Sequence, residues 1–558
     1  PSIHWVRSVA AARWTTSTRA CLAVAPEARR RMNVLFIARH FTYFRNFESV
    51  IGVLADRGHR VHLAADREEA LGGRDLVDRL ASRYPGQVTV GFTPILQWGR
   101  YRRLSNALRI GLDYLRYSDP RYEATPKIRE RAYERTPLLV LALAKLPFRG
   151  LLTRILAVLE RAVPRQTGVD DFISEHKADV LLITPLIELG SPQLDYMRAA
   201  RALGIRSALC VWSWDHLSSK ALIRVVPDKV IVWNSTQRDE AERFHGIPAD
   251  RVVVTGAQCF DQWFDRTPTR DRDAFCCRVG LTTARPFLLY VCSALFRGSP
   301  SEAAFVLRWV ASIRQSSDAR LRDMPILVRP HPQRAAEWTP EILTELSRMK
   351  EVVMWGANPV DADSRADYFD SMFHAAAVAG LNTSALVESA IVDRPVFTIL
   401  LPEFRESQEG TFHFHYLLDP TNGFLNVSRS LDEHTRQLAA ALSGAIVRSN
   451  RRFVEHFVRP KGAATPVFAD AVEQIARDPS PHPRASEAWL LLLRPVIYAL
   501  VLAGRVPLVE RIYWNPKKFV GRIRDSVGGT TSFQPRVSGH DNGVAAMIHE
   551  GRTTNRHS

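Results

Sequence analysis

Residues 374–400 constrain the fold more than any other part of the chain. The apolar run Ala375-Ala376-Ala377-Val378-Ala379-Gly380 leads into a polar turn, Leu381-Asn382-Thr383-Ser384. Residues 385–392 then place apolar side chains at helical spacing, and 394–400 form a second apolar run. Strand, turn, helix and strand in this order make one βαβ unit, which belongs to a parallel sheet. A helix that opens on Asn382, Thr383 and Ser384 presents unpaired N–H groups and the positive end of its dipole, a combination that favours phosphate. Glu388 lies four residues after Ser384, one turn deeper on the same face. A capping-box acid would sit at three, so Glu388 is better placed to accept hydrogen bonds from a ribose. The plainer reading is that Asn382 and Ser384 only cap the helix and that Glu388 is solvated or paired with Arg394.

At 558 residues the chain exceeds one ordinary core and has room for two α/β domains plus an appendage. From Met32, the run 33–38 is a strand that enters Arg39-His40-Phe41-Thr42-Tyr43-Phe44-Arg45-Asn46. A helix carrying Val50 and Leu54 follows, then Gly58-His59-Arg60 and a second strand at 61–65. This opening is Rossmann-like without that motif's glycines, and its first loop is expected to face a cleft. Residues 95–165 read as a helical insertion rich in Leu, Arg and Tyr. Further strands are expected at 180–184, 207–212, 229–233 and 251–256, with a charged, irregular linker near 266–283. The second domain starts with the apolar run 286–292 and continues through 325–329 and 352–355 to the unit at 374–400. The expected domains are therefore 32–268 and 284–478.

The ends have a different character. The run 489–502 is strongly apolar but interrupted by Arg494 and Pro495, and is too short and broken to span a bilayer. Arg505, Arg511, Lys517, Lys518, Arg522 and Arg524 follow, with Tyr513 and Trp514 between them. Residues 485–527 thus suit either an interfacial anchor on an anionic leaflet or a helical pair packed on the protein itself. From Gly528 the Gly-, Ser- and Thr-rich tail is expected to be disordered. Residues 1–31 are rich in Arg, Ala, Ser and Thr, with Glu27 the one acid, and lack an uninterrupted apolar core. That composition fits a transit peptide, an over-extended start or a disordered arm, and Met32 reads as the start of the fold.

An excess of 75 basic over 58 acidic residues gives a net charge of +17, which suits an anionic partner: a nucleotide, a nucleic acid or an anionic membrane face. Nucleic acid is disfavoured, because the sequence has no zinc-finger spacing, no RNP-like strand and no compact basic helix with base-reading residues. The six cysteines are scattered without a C-x-x-C pair and are expected to be reduced core thiols of a cytosolic protein.

Three more polar segments fall at strand ends, where α/β folds bind ligands. In Arg329-Pro330-His331-Pro332 the prolines fix the backbone around an Arg–His pair that suits a diphosphate: Arg as a fork, His as a donor of a hydrogen bond or proton. Ser213-Trp214-Asp215-His216-Leu217-Ser218-Ser219-Lys220 follows the strand ending at Trp212. Residues 404–416, including Gln408 and His413, follow the strand ending at Leu401. Asp361-Ala362-Asp363 matches an Asp-x-Asp metal motif but precedes a helix and is expected to be a turn and cap. His413 and His415 are expected to make a poor metal pair, although one of them can face the cleft. No metal site is expected.

These motifs carry a resemblance. Over about 32–478 the sequence resembles the GT-B glycosyltransferase superfamily, and within it the branch of CDP-glycerol glycerophosphotransferases and capsule-polysaccharide transferases. The resemblance rests on Arg329 to Pro332, on Gly380 to Glu388, and on Val254-Thr255-Gly256 with Asp261; the block Ser213 to His216 with Lys220 is similar to one in the same group. It implies two Rossmann-like α/β domains facing a cleft, the insertion lining the acceptor side, and a nucleotide-activated donor in the carboxyl-terminal domain. Arg329, His331, Asn382, Thr383 and Ser384 would lie near the diphosphate and Glu388 near the ribose. The catalytic candidates are His40, on the first loop where inverting members often carry their base, Asp215 as a rival base, and His331 at the leaving group. Arg39, Lys220, Gln408 and His413 are further cleft candidates.

The implied function is inverting, metal-independent transfer of a sugar from a nucleoside diphosphate to a hydroxyl on a glycan or lipid-linked acceptor, without a cofactor. Its expected setting is bacterial cell-surface glycan synthesis, in the cytoplasm or peripherally on the inner face of the membrane. The Trp-Asp-His loop and the appendage depart from the glycerophosphotransferase pattern, which favours sugar transfer. CDP-glycerol-type polyol-phosphate transfer, a UDP-sugar 2-epimerase and a non-catalytic nucleotide-binding scaffold remain alternatives.

Overall fold

A computed structural model describes residues 30–68, 72–94, 101–123, 125–282, 285–296, 298–356, 358–445, 447–478 and 488–506. Residues 1–29, the basic positions beyond 506 and the tail from Gly528, for which a leader, an anchor and disorder were expected, lie outside the described residues.

Among the described residues two parallel sheets form. The first contains β1 (Asn33–His40), β2 (Arg60–Arg67), β3 (Val88–Phe92), β4 (Val180–Thr184), β5 (Arg206–Cys210), β6 (Lys229–Val232) and β7 (Val252–Val254). Its order is β3-β2-β1-β4-β5-β6-β7. The second contains β8 (Leu288–Val291), β9 (Ile326–Arg329), β10 (Val352–Met354), β11 (Ala377–Gly380), β12 (Val396–Ile399) and β13 (Asn426–Ser428), in the order β10-β9-β8-β11-β12-β13. Both are doubly wound, with the order reversing at β1/β4 and at β8/β11, and crevices at those points are where such sheets take ligands. The inner strands are apolar on both faces because helices cover both: every residue of β4, β8, β9, β11 and β12 is buried. Gly380 ends β11 where a Cβ would lie 2.7 Å from the Val291 carbonyl, so only glycine lets this strand run so close to β8.

The two domains lock together at several places. Helix Ala464–Arg477, sequence-assigned to the second domain, packs instead on the first sheet, its Phe468, Val472 and Ile475 joining the core of β1 and β2. Asp261 accepts from the backbone N–H groups of Ala464 and Thr465, and Glu473 pairs with Arg57 and His59 at 3.0 and 3.1 Å. Across the cleft, Arg365 meets Glu48 at 3.1 Å and the Tyr416 hydroxyl donates to Glu240 at 2.6 Å.

The insertion between β3 and β4 carries helices Arg102–Tyr117, Pro126–Tyr133, Leu138–Leu143 and Arg149–Ala162. It is tied down by Arg109, which is wholly buried and reaches Glu160 at 3.0 Å and Asp195 at 2.7 Å. Residues Ala488–Leu493 and helix Arg494–Ala503 return to this layer, burying Leu490, Ile497 and Val501 against Leu104, Leu108 and Leu156. The described part of the appendage therefore packs on the protein, yet its other face is open. Leu492 is 80% exposed, and Leu491 and Val496 are exposed with it; so are Leu146, Phe148 (65%), Leu151 and Ile155 of the insertion. Among the described residues no helix is long and apolar enough to cross a membrane.

Candidate active site

On the second sheet, the turn after β11 is built as a cap. The Thr383 hydroxyl accepts from the Ala385 N–H at 3.4 Å, and Ser384, first residue of helix Ser384–Ile391, is exposed. Asn382 braces the turn: its N–H donates to the Ser293 hydroxyl at 3.0 Å and its amide to the Ser407 carbonyl. Thr383 and Ser384 thus remain at the mouth of the helix with its unpaired N–H groups.

One turn deeper, Glu388 accepts a hydrogen bond from the Tyr368 hydroxyl. Burial raises its pKa, with Tyr368, Arg45 and Arg329 opposing. Arg394 is not its partner: that guanidinium donates to the Val392 carbonyl and lies over the Phe373 ring. Arg329, at the end of β9, is 6% exposed and stands over the Tyr368 ring at 4.8 Å. Burial lowers its pKa, while Tyr368, Asp367 and Glu388 pull the other way. The guanidinium rests on Gly356, which has φ +125°, and a Cβ there would fall within 2.7 Å of three of its atoms. His331 accepts the Gln333 N–H on Nδ1 at 3.2 Å, so its neutral tautomer carries the proton on Nε2, available to a ligand. Burial, then Arg45 and Arg334, lower its pKa to about 4.

Arg45, exposed on the first loop of the other domain, acts on these residues through its charge. Its charge bears on His331, Tyr368 and Glu388 of the second domain and on His40 of its own. His40 closes β1, its ring 4.5 Å from that of Tyr43, and burial with Arg67, Arg39 and Arg45 lowers its pKa to about 4. It is neutral at physiological pH and able to accept a proton.

Asp215 sits further along the first sheet. Its carboxylate accepts from the Ser213 hydroxyl at 2.5 Å and the Ser219 hydroxyl at 2.8 Å, and Lys220 pairs with it at 2.9 Å. Burial pushes its pKa up, but Lys220, His413 and the Ser213 hydroxyl outweigh burial and hold it well below the usual carboxylate range. A carboxylate so satisfied is a weak base. His413 comes from the second domain, its ring 4.7 Å from that of Trp214, and burial lowers its pKa to about 4. The structure thus brings Asp215, Lys220 and His413 together as one cluster and joins Arg329, Tyr368 and Glu388 as another, with the charge of Arg45 acting on Glu388, Tyr368, His331 and His40. Arg39 pairs with Glu188 beside a cavity of about 340 Å³ that Lys220 also lines.

One expectation is corrected. Gln408 does not face the cleft: it is wholly buried, and its amide nitrogen is spent on the Ile399 carbonyl at 3.0 Å and the Thr398 hydroxyl at 3.2 Å. His413 and His415 lie on a short helix, Phe412–Leu418, where residues two apart point to different faces, and His415 reaches the Glu409 carbonyl at 2.7 Å. The carboxylates of the Asp-x-Asp motif are also accounted for: Asp361 caps helix Ala362–Phe373 through the Ser364 N–H, and Asp363 pairs with Arg270 at 2.8 Å and with Arg278.

Arg45 and Tyr368 were not singled out in the sequence. Arg45 lies in the first loop, where an Arg-Asn pair after aromatic residues was the available signal; nothing local marks Tyr368, which sits mid-helix.

No family model matches the chain, and the search of curated proteins gave no match. Solved structures are similar at low identity. A glycosyltransferase from Rickettsia africae ESF-5 is 11% identical, covering 84% of this chain and 99% of that one, with a TM-score of 0.43. UDP-GlcNAc 2-epimerase from Methanocaldococcus jannaschii, in complex with UDP-GlcNAc and UDP, is 12% identical over 79% of this chain and 99% of that one, with a TM-score of 0.46. MurG from Acinetobacter baumannii is 13% identical over 79% and 99%, with a TM-score of 0.40. Likenesses of this size leave reaction and substrate to the chain's own residues.

Proposed function

We propose that the chain is a glycosyltransferase that moves a sugar from a nucleoside-diphosphate donor to a hydroxyl acceptor, with inversion and without a metal. The observation that carries this is the set of Arg329, Tyr368 and Glu388 beside helix Ser384–Ile391, on which, as on His331 after β9, the charge of Arg45 from the other domain acts. A diphosphate at the mouth of helix Ser384–Ile391 would meet the N–H groups there, Arg329, the Nε2 proton of His331 and Arg45. Glu388, held by Tyr368, is the acceptor for ribose hydroxyls.

In the reaction the acceptor oxygen forms a bond to the anomeric carbon from the face opposite the leaving group. His40 takes the acceptor's proton while the bond to the diphosphate oxygen breaks. The charge that develops on that oxygen is met by Arg329, Arg45 and His331, an electrostatic role that a metal fills elsewhere. A single displacement inverts the anomeric centre. His40 is preferred to Asp215 because the Asp215 carboxylate is already paired with Lys220 and two hydroxyls. An acceptor on a lipid-linked or surface glycan, approached at an anionic leaflet, is supported by the exposed apolar face of Phe148, Leu151 and Leu492 beside Arg149, Arg154 and Arg494.

Product analysis with a panel of nucleotide sugars, with and without EDTA, tests this. Release of nucleoside diphosphate that requires an acceptor, persists in EDTA and shows a kcat/KM acid limb near pH 4 that disappears in His40→Gln supports it. Change of the donor sugar without acceptor would make the chain an epimerase. Release of nucleoside monophosphate would make it a phosphotransferase, and binding without turnover a scaffold.

A further inference from the structure

The cavity of about 340 Å³ at the β1/β4 crossover of the first domain is walled by the end of β1, the loops after β4 and β5, and the helical insertion. Arg39, Arg131, Arg135 and Lys220 line it, against Glu188 as the one lining carboxylate. Glu188 answers Arg39 and Asp215 answers Lys220. Arg131 and Arg135, four residues apart on the insertion, make no ion pair among the described residues. Two exposed guanidinium groups therefore stand at the cavity without an ion pair; burial and then the charge of Arg135 lower the pKa of Arg131, with Tyr117 and Asp215 opposing. Like charges gathered in this way are unfavourable unless an anion joins them.

A second observation points to a ligand. Tyr117 Oη, Trp212 Nε1 and His216 Nδ1 are buried without a hydrogen-bond partner, and all three residues line this cavity. Tyr117 is 1% exposed and His216 fully buried. His216 Nε2 is engaged with the Pro185 carbonyl at 2.8 Å, which leaves Nδ1 as an acceptor; Trp212 offers a donor and Tyr117 either. Buried polar groups are rarely left unpaired, and three around one cationic cavity form a built polar site.

We infer that this cavity binds the phosphate of a phosphate-bearing acceptor. A surplus of two charges matches a phosphate, which carries about −1.5 to −2 at neutral pH, better than a single carboxylate. Guanidinium forks fit its oxygens. Tyr117, Trp212 and His216 are then available to the hydroxyls of an attached body. Ile128, Ile187 and Leu189 supply an apolar side to the cavity, so that body is either a sugar or the first units of a lipid. The word acceptor rests on the transferase reading; the phosphate site does not.

Calorimetric titration of the full chain with inorganic pyrophosphate, glucose 1-phosphate and geranyl diphosphate tests the site, in wild type, in Arg131→Gln/Arg135→Gln and in Arg329→Gln. Phosphate binding is expected to survive Arg329→Gln and to weaken at least about tenfold in the double variant, as losing charged hydrogen bonds does. Tightest binding of geranyl diphosphate assigns the phosphate to a lipid headgroup, and equal or tighter binding of glucose 1-phosphate to a soluble glycosyl phosphate. The inference is overturned if no probe binds wild type, if the double variant binds as wild type does, or if Arg329→Gln alone abolishes binding. Nucleotide titrated into the double variant keeps the two sites distinguishable: retained nucleotide binding with lost phosphate binding shows an intact donor side, and the reverse pattern in wild type would sink the donor reading while leaving this one standing.

Discussion

The two sheets have nearly the same strand order, yet their crossover points are built differently. At β8/β11 the side chains answer one another: Tyr368 donates to Glu388, Arg329 lies over Tyr368, and Glu302 holds Ser293 and Tyr290 behind the turn. At β1/β4 they do so only in part: Glu188 pairs with Arg39 and Asp215 with Lys220, while among the described residues Arg131 and Arg135 make no ion pair and Tyr117 Oη, Trp212 Nε1 and His216 Nδ1 lack a hydrogen-bond partner. Fold supplies the two crevices, and the loops and insertion decide what each one takes.

The sharpest way to break this contrast is Arg329→Ala, expected to lower kcat/KM roughly 100- to 1,000-fold, the usual cost of losing a preorganised charge at the leaving group. If the loss were instead smaller than that of Arg131→Gln/Arg135→Gln, the assignment of the two crevices would be reversed. Glu388→Gln keeps the Tyr368 contact but not the charge, and nucleotide affinity should fall about tenfold by calorimetry while pyrophosphate binding in the first domain holds. Gly356→Ala sharpens the picture from beneath: a left-handed φ and a Cβ against Arg329 should cost about 1–3 kcal/mol in denaturant unfolding and weaken nucleotide binding with it.

Stability also depends on pH. Burial raises Glu240 and Glu302 from 4.5 to about 8. Between those values the folded chain holds more protons than the unfolded one, so their contribution to stability falls as pH rises from about 4.5 to about 8 and is flat above. Melting temperatures of Glu240→Gln and Glu302→Gln across that window should slope less than wild type; an unchanged slope would show that neither carboxyl is protonated in the fold.

Much of the second crevice was legible in the sequence. The βαβ period, the polar turn and Arg-Pro-His-Pro are local signals, and Arg329, Thr383, Ser384 and Glu388 lie where a strand end or first helical turn must place them. The first crevice was legible only in outline. His40, Asp215 and Lys220 follow strands, but Arg131 and Arg135 sit on an insertion and join Arg39 only as walls of one cavity, almost a hundred positions away in the sequence. Gln408 was misread for the opposite reason: a polar residue in a ligand-facing loop can be spent inward, holding the loop to strand ends, and no local pattern separates the two uses. The return of helix Ala464–Arg477 to the first sheet is likewise set by tertiary packing of Phe468 and Val472.

The central claim is that residues of both domains meet one nucleotide around Arg45. Calorimetric titration of UDP, GDP, CDP and dTDP in EDTA, into wild type, Arg45→Gln and Glu388→Gln, tests it most directly. The account predicts that at least one nucleotide binds wild type and that both variants, one in each domain, weaken it about tenfold or more. Binding indifferent to Arg45→Gln, or no binding by any of the four, would contradict it.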